Sequence, residues 1–513
     1  MKAPGVFPLI ALIAAAICAN INLAVANVAL PTIGAHFGAS QVEINLVAVG
    51  FTLGLAASVL YLGAIGNAYG RKKLLLLGLV LSILFAAAAS WAPNIEILIT
   101  ARVLGGVATG MVYPVTLAMI TSIYSGKQRT QAIALWSGIG AAASGVGAAI
   151  TGWLLTFAWW GSGFAITIPL GALVLLMCAF LRDQARDTAD KPDNLSGVLS
   201  VVMIATLVAA ITFAPMPGLS ITALALAIIA VVAVAIFISR QRKIANPMFD
   251  LSIARRPLFW VAAIAGLIVF GSLMGSFFIG QQFLQDVLGY TTLSAGLAIL
   301  PSALGMVLFS PVAGILINRL GSRPTLLIGF ALLAIGFVLM FTWKAGVTYT
   351  PVGIAYFLLG AGVAIAAAPA SRAIMDSVPP SQLGMGSATN DLQRDLGGAI
   401  MQSVMGTLLV VRYASDFRAA FASAPASDQQ ELGNTAMTQI MASYSGAQEV
   451  AKGLPQADAT QLLTAAQNAY TAGSNWAFAF ALLAVAIGAL LVFLKFPKRQ
   501  EEIALIQQYQ KGS

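Results

Sequence analysis

Asp391, Arg394 and Asp395 stand at i, i+3 and i+4 within an otherwise apolar stretch, so a helix there gathers two carboxylates and a guanidinium on one face. Such a group can neutralise itself as a structural or gating ion cluster. It can also relay protons or bind substrate, because a carboxylate shielded in a low dielectric titrates closer to working pH. Arg102 lies about six residues into another apolar stretch, roughly 9 Å from its outer end at the helical rise. An ionisable residue in hydrocarbon is a functional candidate by default; snorkelling outward, or pairing with Glu96 or Glu43, is the other reading. Glu43 and Asp286 sit near the ends of their stretches, as interfacial residues or as carboxylates with access to a cavity.

Softer polar points surround these charges. Asn20 and Asn27 are seven apart and share a helix face, whereas Asn22 points nearly opposite. Gln281 and Gln282 can hydrogen-bond a ligand or glue helices together. Phe51, Tyr61, Tyr113, Phe277, Phe278 and Phe283 can line an apolar cavity or simply pack. The candidate substrate-binding set is Asn22, Asn27, Phe51, Tyr113, Phe277 and Gln281; the candidate proton-coupling or gating set is Arg102, Glu43, Asp391, Arg394 and Asp395. Covalent chemistry has no foothold. His36 is the single histidine, Cys18 and Cys178 form no motif, and there is no Ser/His/Asp set, metal-ligand cluster or nucleotide loop. The expectation is a protein that is not an enzyme and carries no metal or organic cofactor.

The elements that must hold these residues are membrane helices. Hydrophobic residues make up 59% of the 513 and charged residues only 9%, against roughly a quarter charged in a soluble domain. Apolar runs of about 20 residues, the length needed to cross hydrocarbon, recur throughout. They fall near 7–33, 41–64, 73–91, 97–122, 130–156, 163–182, 196–215, 219–239, 257–284, 292–317, 324–343, 350–375, 388–411 and 474–495, which makes fourteen spans. The first run is too long and too closely followed by others to be a signal peptide.

The net charge of +9 does not point to nucleic acid, because the cations cluster between spans. Arg71, Lys72 and Lys73; Lys127 and Arg129; Arg182, Arg186 and Lys191; Arg240, Arg242 and Lys243; Arg255 and Arg256; Arg319 and Arg323; and Lys495, Lys498 and Arg499 all fall on one side. Only Lys344, Arg412, Arg418 and Lys452 fall on the other. The positive-inside rule then puts both termini in the cytoplasm. The sequon Asn194-Leu-Ser196 lies on that side and is expected to stay unglycosylated.

An internal repeat organises the spans. Gly63-Ala-Ile-Gly-Asn67-Ala-Tyr-Gly70-Arg71-Lys72 matches Gly314-Ile-Leu-Ile-Asn318-Arg319-Leu-Gly321-Ser-Arg323 at an offset of 251 residues. Two six-helix halves with an inserted pair explain it, and carriers built of duplicated halves bind substrate at the interface near the midplane. The expected units are 1–182, a first six-helix bundle; 183–256, two inserted helices with their linkers; 257–495, a second six-helix bundle with an external loop at 412–473; and 496–513, a cytoplasmic tail. The loop is expected to fold as short helices bent over the outer face.

These blocks resemble the major facilitator superfamily, in its fourteen-helix drug:proton antiporter branch. Besides the repeated turn, which resembles motif A (Gly63, Asn67, Gly70 and Arg71, then Asn318, Gly321 and Arg323), span 1 ends Asn27-Val-Ala-Leu-Pro31-Thr-Ile and Ala101-Arg102-Val-Leu-Gly105-Gly106 is similar to motif B. Trp160, Phe164, Pro169 and Gly171 fit the entry to span 6; Gln285-Asp286-Val-Leu-Gly289-Tyr290 and Ala295-Gly296-Leu-Ala-Ile-Leu-Pro301 fit the passage from span 9 to 10; Arg394-Asp-Leu-Gly397-Gly398 resembles the span 13 signature.

Several positions depart from the pattern. Asn22 aligns with the usual span 1 acid, Asn67 and Asn318 replace the motif A acid, and Ala148 and Thr151 in Gly147-Ala148-Ala149-Ile150-Thr151-Gly152 replace the Pro and Gly of the antiporter motif. An amide offers no negative charge to a cation, so the loss at Asn22 favours neutral or anionic substrates.

The resemblance implies an all-α polytopic membrane protein with the major-facilitator fold, exporting amphipathic organic compounds by alternating access and coupled to a proton gradient. Its expected setting is the bacterial cytoplasmic (inner) membrane, as a monomer among lipids with a small amphipathic substrate, no nucleic acid, and a periplasmic adaptor as an optional partner. Two alternatives stay open: export of an endogenous metabolite or lipid without standard antiport, and a non-transporting receptor or scaffold.

Overall fold

A computed structural model describes residues 5–37, 39, 41–182, 193–214, 218–244, 247–379, 382–422, 436–437, 440–441 and 444–511. Arg186, Lys191 and the side chains of Asn27 and Asn67 lie outside the described part. No strand occurs among the described residues, and fourteen helices there are long and apolar enough to cross a membrane. This is the all-α, fourteen-span organisation expected from the sequence.

The first half contains α1 (Val6–Phe37), α2 (Gln41–Tyr69), α3 (Arg71–Ser90), α4 (Ile95–Ile123), α5 (Gly126–Leu154), and a sixth span made of α6 (Ser162–Ala165) and α7 (Thr167–Ala179). The inserted pair is α8 (Asn194–Phe213) and α9 (Ser220–Gln241), followed by the short α10 (Leu251–Ala254). The second half contains α11 (Pro257–Gln282) with a π turn at Phe283–Val287, α12 (Thr292–Ala298), α13 (Leu300–Leu320), α14 (Ser322–Met340), α15 (Tyr349–Asp376), α16 (Leu383–Ala422), α17 (Tyr444–Ala451) and α18 (Gln456–Lys495). A tail helix, α19 (Arg499–Lys511), follows.

Packing repeats between the halves. In the first, α4 lies against α2 and α3, α5 against α1, and α7 against α3; in the second, α15 lies against α13 and α14, α16 against α11, and α18 against α14. The repeated turns have one physical cause. Gly70 and Gly321 start α3 and α14 with φ of 110° and 93°, a conformation side-chain-bearing residues rarely adopt. Ala148 permits α5 to run unbroken to Leu154, where a proline would remove a helix hydrogen bond.

The face where α1 begins and α18 ends is called the lower face here. The tail, the start of α11 and the end of α15 meet there: Arg256 caps α11 and donates to the Ser377 carbonyl. The inserted pair is pinned on the same side. Tyr61 of α2 donates to Asn194 Oδ1 at 2.8 Å, and Arg240 grips both Asp193 oxygens at 2.7 and 3.0 Å. That grip, more than the Ser196 hydroxyl and amide, holds the Asp193 carboxyl well below the usual carboxylate range.

On the upper face the sequence expectation needs correction. Helices α16 and α18 are each 40 residues long, about 60 Å at the helical rise and twice the hydrocarbon thickness. The outer segment 412–473 therefore begins and ends as continuations of spans 13 and 14, with one short helix, α17, among the described residues between them. Its Ala- and Gln-rich ends favour helix, and Tyr413, Phe417 and Phe421 stack at i, i+4 and i+8 with ring centroids 6.2 and 6.5 Å apart. Most of 428–441 lies outside the described residues.

Candidate functional site

The three charges of α16 lie at the seam between the halves, all buried. Arg394 Nε donates to Asp395 Oδ1 at 3.2 Å. The guanidinium carbon sits 3.9 Å from the centroid of the Tyr113 ring, which belongs to α4 of the other half. Both Asp391 oxygens, Asp395 Oδ2 and Arg394 Nη1 lack hydrogen-bond partners among the described residues. Two carboxylates thus face one guanidinium in a buried setting, where a charge left unmatched is costly. When both acids are ionised, the cluster carries one negative charge beyond what Arg394 balances, a place for a proton or a cation.

Neighbouring helices complete the site. Trp136 of α5 packs on Tyr113 with centroids 4.9 Å apart and donates to Thr116 Oγ1 at 2.9 Å. Gly140 of α5 borders the Tyr113 hydroxyl and the Asn20 amide; a Cβ there would make ordinary contact with them at 3.5 and 3.7 Å. Asn390 Oδ1 accepts from Ser371 Oγ of α15 at 2.6 Å, and Gln393 fills the space over Gly266 of α11. Sequence reasoning named Tyr113 and the three charges. It left Asn20 as a face-mate of Asn27 and passed over Trp136, Ser371, Asn390 and Gln393, of which the polar three could have been found as amides and a hydroxyl within apolar runs.

Arg102 belongs to a separate site inside the first half. It neither snorkels nor pairs with Glu96: the residue is 2% exposed, Nη1 donates to the Asn22 carbonyl at 3.0 Å and Nε to the Val47 carbonyl at 3.3 Å. Phe51 and Phe164 lie against the guanidinium at 4.6 and 5.3 Å. Asn22 and Phe51, expected to touch substrate, thus line a small void around Arg102 with Ser82 and Thr109. The Asn22 amide donates back to the Cys18 carbonyl at 3.3 Å.

The other candidates are dispersed. Gln281 bridges to the Ala295 carbonyl at 3.0 Å and accepts from Gln285 at 3.1 Å, so it ties α11 to α12. Phe277 meets Tyr356 edge-on at 6.0 Å, and Phe283 is stacked on Trp343 at 5.3 Å. Glu43 occupies the first turn of α2, away from the seam cluster, and Asp286 the π turn.

At the lower face the halves are joined again. Arg129 of α5 pairs with Asp376 of α15 at 3.1 Å, and Arg372 holds the second Asp376 oxygen at 3.1 Å. A Cβ on Gly63 of α2 would stand 2.8 Å from the Gly384 carbonyl of α16, so only glycine permits that approach. Ser310 of α13 donates to the Ala134 carbonyl of α5 beside Gly138. In the second turn, Arg323 donates to the Phe493 carbonyl and the Asn318 carbonyl accepts from Arg499 at 3.1 Å.

Two repeated helix bundles, meeting along a seam with a charged centre and a closed lower face, define a membrane carrier. Residues 12–402 match the Major Facilitator Superfamily, and the chain belongs to that family. It is 31% identical over 474 residues to the multidrug efflux pump LfrA of Mycolicibacterium smegmatis, covering 91% of this chain and 92% of the relative. It is also 31% identical over 389 residues to the multidrug resistance protein Stp of Mycobacterium tuberculosis (75% and 72%), and 28% over 487 residues to the methyl viologen resistance protein SmvA of Salmonella typhimurium (93% and 96%). The crystal structure of the human organic anion transporter MFSD10 (TETRAN) shares the fold, with a TM-score of 0.58 at 12% identity over 95% of this chain and 99% of that one. The chain is therefore a multi-pass membrane transporter of that superfamily, similar to proteins named as drug-efflux pumps.

Proposed function

We propose that this protein exports amphipathic organic compounds by alternating access of its two halves, with proton entry coupled through Asp391, Arg394 and Asp395. The lower face, which bears most of the Lys and Arg, faces the cytoplasm of a bacterial inner membrane in this reading.

The observation that carries it is the Arg394 guanidinium of one half seated on the Tyr113 ring of the other. Alternating access parts the halves along this seam, so the contact must break in each cycle. A desolvated cation–π contact is worth about 2 kcal/mol, enough to shift a two-state equilibrium more than tenfold. Arg394 is shared between that ring and Asp395. Loading a proton or an organic cation onto the carboxylates changes how firmly Arg394 is held, which links occupancy to opening.

Helix α1 offers Asn22 where a carboxylate would attract cations, but α16 supplies two carboxylates at the seam. The substrate range proposed therefore extends from neutral amphiphiles to organic cations; SmvA, a relative, is a methyl viologen resistance protein, and methyl viologen is an organic cation. The test is transport of a lipophilic dye and of methyl viologen into everted vesicles under an imposed pH gradient. Uptake that ignores the gradient would remove the coupling half of the proposal.

A further inference from the structure

The tail helix α19 crosses no membrane, yet it is fastened to the second half at both ends. Near its start, the buried Glu502 carboxylate accepts from the Ser322 amide at 3.1 Å and from the Ser322 hydroxyl, at the first residue of α14. A carboxylate is favoured there by the free amides and the positive end of the helix dipole. Arg499 donates to the Asn318 carbonyl across the same turn. Asn318 brings no charge of its own to this turn, and Glu502 brings one from the tail.

The other end reaches toward the seam. The Tyr509 ring lies against the Arg256 guanidinium at 4.2 Å, and Arg256 Nη1 donates to the Ser377 carbonyl. Ser377 directly follows Asp376, which takes Arg129 of the first half at 3.1 Å. Contacts therefore run without a gap from Tyr509 through Arg256 and the end of α15 to the ion pair joining the halves.

We propose that the tail helix positions this ion pair: Glu502 seats α19 on α14, Tyr509 steadies Arg256, and Arg256 holds the end of α15 so that Asp376 meets Arg129. Glu502 and Tyr509 are positioning residues for closure of the lower face. The consequence for transport rests on the alternating-access reading above; closure itself can be measured without it.

The test is a distance measurement by pulsed electron spin resonance in lipid nanodiscs. Spin labels go on Lys127→Cys of α5 and Arg319→Cys of α13, both exposed at the lower face, in a chain carrying Cys18→Ala and Cys178→Ala. Tyr509→Ala should raise the long-distance population about three- to fivefold, the effect of losing one partly exposed cation–π contact. Glu502→Ala should raise it at least as much. Tyr509→Phe keeps the ring and should match the parent, which a general loosening of the tail would not predict. Unchanged distances in Tyr509→Ala, or Tyr509→Phe behaving like Tyr509→Ala, would overturn the proposal, and the Tyr509 series decides alone should Glu502→Ala fail to fold. Distances that respond in a protein moving no compound would leave this inference standing and remove the transport reading instead.

Discussion

The Arg394 guanidinium rests 3.9 Å from the centroid of the Tyr113 ring, a contact between α16 of the second half and α4 of the first. Tyr113→Leu keeps apolar bulk and removes the π face. Export of a lipophilic dye should fall about tenfold or more on the cation–π magnitude, whereas Tyr113→Phe should stay within a few-fold of the parent. Initial rates from proteoliposomes decide it; equal rates for Leu and Phe would mean that the ring face is irrelevant.

Gly63 is the close-approach point of α2 and α16 at the lower face. Gly63→Val should wedge the halves apart there at a cost of about 1–3 kcal/mol, and Gly63→Ala should act in the same direction but less. Modification of Ala134→Cys, buried on α5 against Ala313 and Ile317 of the second half, by a water-soluble thiol reagent added from the side of the lower face to a chain without Cys18 and Cys178, should speed up in both. Slower or unchanged modification would contradict the packing.

Arg102 donates to two main-chain carbonyls in different helices, Asn22 in α1 and Val47 in α2. A lysine ammonium cannot reproduce that fork. Arg102→Lys should lower stability by about 2–3 kcal/mol, in the range for hydrogen bonds made by a charged group. Thermal unfolding in detergent measures this, and a variant as stable as the parent would mean the carbonyl contacts are dispensable.

Asp193 provides a pH test away from the seam. Its carboxyl is held below the usual carboxylate range, chiefly by Arg240. A depressed folded-state value gives stability that is fully present above the ordinary carboxylate pKa and is lost as pH falls through the folded one. Hydrogen exchange at the start of α8 should therefore be constant from neutral pH down to the ordinary carboxylate range and lose protection only below it, after correction for intrinsic rates. Arg240→Gln should shrink that loss and lower the protection already at neutral pH. A profile identical in the two proteins would dissociate the pair from the anchoring of the inserted helices.

Much of the fold can be read along the chain because apolar run length in a bilayer fixes a helix almost regardless of neighbours. The repeated turn was equally legible, since Gly70 and Gly321 serve a backbone conformation that is a local property. The spacing of Asp391, Arg394 and Asp395 likewise announced their shared helix. What the chain could not announce was the partner across the seam. Tyr113 and Arg394 are far apart in sequence, and nothing local to either selects the other. The same holds for Asp376, whose partner Arg129 is 247 residues away, and for Glu502, whose partner is the start of α14. Span 14 continues outward as helix from Gly473 back to Gln456, where the hydropathy signal fades while helix propensity does not.

The most direct test of the central claim is substrate-driven proton movement in proteoliposomes carrying an internal pH dye. The parent protein should give a pH change on adding a transported amphiphile, Asp391→Asn and Asp395→Asn together should abolish it, and binding of a neutral amphiphile should persist. A parent that transports with no pH change, or a double variant with unaltered proton movement, would contradict the account.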